Sequence, residues 1–460
     1  MDNEMNRRKF LKGVALGLGG LVAGTLAGCG GAPATGTTAG GTTAAGGTTA
    51  APAGEVSSGG LKKVRALVWS NGPAIDEHFK QRVKKFNDSH QGKIQVDMQF
   101  LPYDQYWQKI DLAYSSNQPY DIYYWDVQAY AHYKKGLLLN LSPLLRSNPE
   151  IMDESKYPVK LYDPWKFDGA NLYGMPENIQ TMVLFYNKDI FDKAGMKYPD
   201  ANWTWQDTLT AARKLTLRQG DKTTQWGMDL AALGIWWGSQ TLSWAQGTDY
   251  FDKVLEPTKF QMENPANINT IRFIQDLIWK EKVMPNATQR QAAGQDVGVF
   301  QSGKAAMIAD GGWNIASFAS LPFKWDIAPL PKWNDKRVVP YWLGGWNIPK
   351  ASKVTDAAFE FARWSATEYQ TQMAKDHDWI PILNSARTGS DMLAGMPSGF
   401  KASIDALSSA KIGDLYHSKS QQILNEVLGP IFDQVYQNKI KPEDAAKQID
   451  QKADALLKQG

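Results

Sequence analysis

The sequence predicts an α/β protein whose folded body has two lobes. Two observations on the body and one on what precedes it carry this expectation. From Leu61 onward the chain runs for about 400 residues, more than one hydrophobic core usually serves. Short strand-like runs alternate there with runs of helical period, which implies a mainly parallel sheet covered on both faces. Before Leu61 lies a tract with too little apolar surface to join any core.

The elements follow in order. "VRALVW" (Val64 to Trp69) reads as a buried strand, and Ile75, Phe79, Val83 and Phe86 then recur at helical spacing. "IQVDMQF" places Ile94, Val96, Met98 and Phe100 on alternate positions, the period of a strand. Tyr106, Trp107, Ile110 and Tyr114 mark a second helix, "YDIYYW" (Tyr120 to Trp125) a third strand, and "AYAHYKKG" a helix ending at Gly136. The second half repeats the style without the sequence. "MVLFYN" (Met182 to Asn187) is a strand, and Thr204 caps the amphipathic helix of "TWQDTLTAARKL". "KAAMIAD" is a strand entering the loop "GGW", and "DAAFEFARWSA" is helical. In the tail Pro442 starts a helix with Ala445, Ala446, Ile449, Ala453 and Leu456 along one face. Ligands of such sheets bind beyond the carboxyl ends of the strands, where Asn71, Trp125 and Asp126 fall.

The first 60 residues read as targeting and tether. Arg7, Arg8, Lys9 and Lys12 precede a weakly apolar, glycine-rich run, Gly13 to Ala27, shorter than a membrane span. This is the pattern of an export signal, residues 1–28, and "RRKFLK" gives it a twin-arginine character, with an ordinary secretory signal as the alternative. Leu26-Ala27-Gly28-Cys29 resembles the bacterial lipobox, which implies cleavage before Cys29 and a lipid on its sulfur. Several acyl chains, at about 0.8 kcal/mol per buried methylene, hold a protein to a membrane far more firmly than one. From Gly30 to Gly60 only Glu55 and Val56 depart from Gly, Ala, Thr, Ser and Pro, and "GGTTAA" occurs twice in tandem. Residues 29–60 therefore read as a leash, with a root-mean-square span of roughly 30 Å.

Composition narrows the function. Net charge is +3; without Met1 to Gly28, which carry four basic and two acidic residues, 46 basic residues face 45 acidic ones. So balanced a body gives no electrostatic case for nucleic acid. Cys29 is the single cysteine, so the body has no disulfide and no thiolate chemistry. "GVFQSGKA" (Gly298 to Ala305) has phosphate-loop spacing through Lys304, but Ala305 replaces the magnesium-binding hydroxyl and a strand follows. The five histidines lack metal-site spacing, and no G-x-S-x-G elbow occurs. No metal or cofactor is expected. A carboxylate pair for glycoside hydrolysis stays open, because acidic residues are many and none stands out. The 18 Trp, 18 Tyr and 17 Phe supply flat apolar faces with polar handles, suited to cores and to ligand platforms alike.

Four further stretches carry a family resemblance: "YGMPENIQTMVLFYNKDIFDKAG" (Tyr173 to Gly195), "WTWQDTLTAARKLT", "FQSGKAAMIADGGWNI" and "GGWNIPKAS". In this order they resemble the extracellular solute-binding proteins of carbohydrate ABC importers, the maltose-binding-protein-like class, over Leu61 to Gly460. The resemblance implies a two-lobed type II periplasmic-binding-protein fold with hinge crossings. Residues 61–178 with 346–382 would form one lobe, and 179–345 with 383–460 the other. It implies no catalysis, a monomer at the outer face of the membrane, a carbohydrate ligand and the transmembrane subunits of the importer as partners. By position it implies cleft contacts from Asn71, Trp125, Asp126, Gln180, Trp236, Trp237, Asp310, Trp313, Gly345, Trp346 and Trp379. Gln180 stands where the maltose receptor has an acidic contact. A secreted glycoside-active enzyme and a receptor for a non-sugar solute are the alternative readings.

Overall fold

The computed structural model describes residues 60–70, 72–124, 127–230, 236–294, 297–377 and 379–459, without the side chains of 74, 104, 236 and 237. The export signal, Cys29 and the leash lie outside the described residues, as do Asn71, Trp125, Asp126 and the side chains of Trp236 and Trp237.

The first half builds one end of a nine-stranded sheet. Strand β1 (Lys62–Trp69) is followed by helix α1 (Pro73–Ser89), β2 (Ile94–Leu101), α2 (Tyr103–Ser115), β3 (Ile122–Tyr124) and α3 (Ala129–Lys134). β1 lies between β2 and β3 and runs parallel to both. α1 turns Ile75, Phe79 and Phe86 into the core, the face that its period implies. α3 ends where Gly136 takes φ 69°, a conformation open to glycine at little cost.

Two long strands then connect everything. β4 spans Met175–Asn187, seven residues more than the apolar run "MVLFYN" indicates at its N-terminal side, and β7 spans Val339–Asn347. They pair antiparallel, from Met175 opposite Trp346 to Thr181 opposite Tyr341. β7 also joins β3, through Tyr123 opposite Asn347, while β8 (Ile380–Pro381) closes the other side of β4. Beyond Thr181 the neighbours change: β5 (Met307–Gly311) and β6 (Trp325–Pro329) flank residues 182–187 of β4, and β9 (Ala410–Ile412) pairs with the start of β7. Each long strand thus belongs to two sets of strands. Every antiparallel pairing of this sheet involves β4 or β7, which is where the expected parallel character ends. Along β4, Val183 and Phe185 enter one core while Met182, Leu184 and Tyr186 enter another, the alternation of a strand buried on both faces.

Helix ends follow local chemistry. Helix α4 (Trp205–Leu215) opens with the Thr204 hydroxyl accepting from Asp207 N and the Asp207 carboxylate accepting from Thr204 N, a capping box. Helix α5 (Thr355–Ala366) covers β1, β4 and β7. Near the C-terminus come the short helices α6 (Asn384–Thr388) and α7 (Phe400–Asp405), then α8 (Pro442–Leu457). Leu457 of α8 is buried and Leu456 half-buried. Among the described residues no helix is long and apolar enough to cross a membrane.

The polar first half of β4 is held by a buried network. Glu177 has no exposed surface and accepts from Arg82 Nη1 at 2.6 Å, from Trp346 Nε1 at 2.7 Å and from the Ser365 hydroxyl. Gln370 donates to the Glu177 carbonyl. One carboxylate thereby fastens β4 to α1, β7 and α5. Buried charge is tolerated only when paired and hydrogen-bonded in this way.

Candidate functional site

The next residues along β4 lead to the candidate site. Asn178 donates to the Tyr124 hydroxyl at 2.5 Å and accepts from the Gln180 amide at 3.2 Å. The close approach of Tyr124 and Asn178 explains Gly344, whose missing Cβ would collide with both. Gln180 is 7% exposed and opposite Trp342 of β7. Its amide nitrogen is committed to Asn178, while its carbonyl oxygen has no hydrogen-bond donor among the described residues.

Gln180 lines a small cavity with Gly312, Trp313, His377, Trp379 and Phe400. The free space is 20 Å³, room for about one water molecule. Three of the residues expected at a cleft, Gln180, Trp313 and Trp379, are therefore brought together from β4, the loop after β5 and the loop before β8. Trp379 is buried, and its Nε1–H has no acceptor among the described residues. Leaving such a donor unmet costs roughly 1–3 kcal/mol, so a ligand oxygen placed there would be bound with that advantage.

Trp313 is held from below. Asp310 accepts from Gly311 N at 2.6 Å and from Asn314 Nδ2 at 3.0 Å, which pins the loop carrying the ring. Gly311 lies under the indole, where a Cβ would overlap it. Asp310 thus positions Trp313. The ring of Trp313 meets that of Trp342 edge-on at 5.8 Å. Trp342 Nε1 donates to Asp414 at 3.1 Å, and the other oxygen of Asp414 accepts from the Tyr416 hydroxyl at 3.0 Å. Tyr416 continues into Tyr130 and Phe167, and Tyr133 and Tyr173 pack on those. The result is an aromatic wall from the loop after β5 to α3. Trp342, Asp414 and Tyr416 were not among the residues expected from the sequence. The signal for Trp342 was its position two residues before Gly344 in "YWLGGWN", on a strand whose register with Gln180 only the fold supplies.

Two expected cleft residues lie elsewhere. Trp346 is fully buried, with Phe79, Tyr124 and Phe361 against its ring and its Nε1–H on Glu177. It is core, and no face is left for a ligand. Gly345 abuts Met175 O and Trp165, so strand packing accounts for its missing side chain.

At the far end of the wall, Glu256 accepts from the Tyr130 hydroxyl and pairs with Lys134 at 3.0 Å. Burial raises its pKa, but these two donors outweigh burial and hold the carboxyl below its ordinary value. His417 beside it is buried, which lowers its pKa against the opposing pull of Glu256. Among the described residues no cluster of three or more His, Cys, Asp or Glu could hold a metal ion.

The sequence profile of bacterial extracellular solute-binding proteins matches residues 69–372. An arabinooligosaccharide-binding protein of Bacillus subtilis is 26% identical over 67% of this chain and 70% of its own length. A maltooligosaccharide ABC transporter solute-binding lipoprotein of Streptococcus pneumoniae is 26% identical over 50% of this chain, which spans 56% of that relative. Among solved structures, an ABC substrate-binding protein of Listeria monocytogenes in complex with cycloalternan superposes with a TM-score of 0.76 at 24% identity, covering 86% of this chain and 99% of its own. The maltose/maltodextrin-binding domain from Bdellovibrio bacteriovorus, bound to maltotriose, gives 0.70 at 17%, with the same coverage. These likenesses establish the two-lobed type II binding-protein fold.

Proposed function

The chain belongs to the bacterial extracellular solute-binding proteins, and from that premise we propose that it captures a sugar or oligosaccharide outside the cytoplasm and delivers it to an ABC importer. The single observation that carries the carbohydrate reading is the meeting of Gln180, Trp313 and Trp379 at one cavity, with the Trp379 indole N–H lacking an acceptor among the described residues. A sugar has apolar C–H faces and hydroxyl edges. Trp313 offers a flat surface for the faces; Trp379 supplies a donor and Gln180 an acceptor for the edges. Because the space between them is so small, entry requires the walls to separate, as hinged lobes do, and the ligand favours closure by contacts made to both sides. The cavity's lining contains neither Lys nor Arg, so it offers no side chain of fixed positive charge to a phosphorylated solute. No step of the reading requires catalysis.

The remaining parts of the proposal rest on the sequence: export by the N-terminal signal, lipidation at Cys29, and a tether that lets a monomer reach the transmembrane subunits. Asn71, Trp125, Asp126, Trp236 and Trp237 stay proposed as further contacts. Calorimetric titration with arabino-, malto- and galacto-oligosaccharides tests the ligand class. A transport receptor must also release its cargo, so affinity near micromolar, about −8 kcal/mol, is expected. Heat-silent titrations together with unchanged melting across the whole panel would reject a carbohydrate ligand.

A further inference from the structure

A second cavity, of 590 Å³, lies between the segment ahead of β4 and the helices α6 and α7. Its size is that of a pocket for a small organic molecule. Ile179 lines it, whereas Gln180 lines the candidate sugar site. Successive strand residues face opposite ways, so the two cavities are separated by the thickness of β4.

Three features define what this cavity would take. Tyr157 in its wall is 1% exposed, and its hydroxyl has no hydrogen-bond partner among the described residues. Arg387 of α6 is half-buried in the same wall. Its guanidinium donates to the carbonyls of Pro381 and Ile382 and to Asn384 Oδ1, all of them neutral, and no carboxylate among the described residues pairs with it. Burial disfavours its charged form, which an incoming anion would restore to favour. The rest of the wall is largely apolar, with Val159, Leu161, Ile404 and Leu407. Two carboxylates also line it: Asp405 is exposed and already paired with Lys401, and Glu154 is exposed, as is Lys160 of the same lining.

We propose that this cavity is a second binding site, for a small organic carboxylate with an apolar body. Its carboxylate accepts from Arg387 and from the Tyr157 hydroxyl, and its body covers Ile179, Ile404 and Leu407. Charge-assisted bonds of this kind are about twice as strong as neutral ones and set the preference for an acid over a neutral analogue.

The test is calorimetric titration of the full chain carrying Cys29→Ala, so that no attached lipid competes, with octanoate and with 1-octanol as the uncharged control. Saturable octanoate binding, at least about tenfold tighter than octanol, is expected. Tyr157→Phe should weaken octanoate about three- to tenfold and leave octanol unchanged. Arg387→Gln should erase the preference for the acid. Because Arg387 also holds two backbone carbonyls, Thr388→Trp on the exposed side of α6 provides an independent check: its ring fills the cavity and should abolish octanoate binding. Equal affinity for acid and alcohol, absence of saturable octanoate binding up to about 1 mM, or full affinity in Tyr157→Phe or Thr388→Trp would each overturn the assignment. Sugar binding plays no part in these outcomes, so they stand apart from the transport reading.

Discussion

Replacing Glu177 by Gln should destabilise the protein severely, and replacing Arg82 as well should restore part of the loss. Both side chains have zero exposed surface and lie 2.6 Å apart. Glu177→Gln preserves shape but leaves the guanidinium with an uncompensated charge in the interior. It also brings an N–H donor toward the Trp346 and Ser365 donors that the carboxylate now satisfies. Breaking a fully buried pair from one side costs about 3–5 kcal/mol. That is about a fifth or more of the roughly 5–15 kcal/mol that typically separates folded from unfolded protein. Arg82→Met strands the carboxylate instead and should cost a similar amount. The double variant removes both charges of the pair, so its loss should fall short of the summed single losses by about 2–3 kcal/mol. Urea unfolding of the four proteins at neutral pH, followed by tryptophan fluorescence, measures the cycle. Single losses that add to within about 0.5 kcal/mol would refute the claim that the two groups act as one unit.

Three other outcomes follow from the site and the tether. Trp313→Ala should weaken oligosaccharide binding by about 2–3 kcal/mol, roughly 30- to 150-fold, because a large apolar platform is lost. Its melting temperature should change little, since the ring is only half-buried; normal affinity with a collapsed melting temperature would assign the ring to the core. Stability should decline as the pH falls below about 6.5, the ordinary value for histidine, because burial lowers the pKa of His417 and the unfolded chain takes up the proton first. His417→Gln should flatten that limb of the melting curve against pH, and an unaltered slope would place its origin elsewhere. Cys29→Ala should leave folding and sugar binding unchanged while releasing the protein from membranes; a variant still acylated and membrane-bound would defeat the lipid-anchor proposal.

Much of the fold was legible because it obeys local periodicity. β1, α1, β2 and α2 each show their buried face in a few consecutive residues. The first half of β4 does not: "MPENIQT" reads as polar, and it is a strand only because Arg82, 95 positions earlier, and Ser365, 188 positions later, meet Glu177 inside. No pattern within the segment reports such partners. The site was legible where a loop motif fixes it, as "DGGW" does for Trp313, and illegible where the fold alone decides. Trp346 and Trp342 lie four residues apart on one strand. Phe79 and Phe361 bury the first, while the second turns toward Asp414, 72 positions away. Composition counts both as tryptophan and cannot sort them.

The pairing of β3 with β7 bears on how the chain reaches this structure. Tyr123 and Tyr124 present a strand edge that stays open until Trp346 and Asn347 arrive, more than 200 residues later. The second half of β4 likewise waits for β5 and β6. Neither lobe can finish its sheet from contiguous sequence, so folding is dominated by non-local contacts and should be slow. In the interval the unpaired edge of β3 is a template for the wrong partner. A fragment ending before β4 should therefore aggregate rather than fold, and the two lobes should gain and lose their structure in one cooperative step.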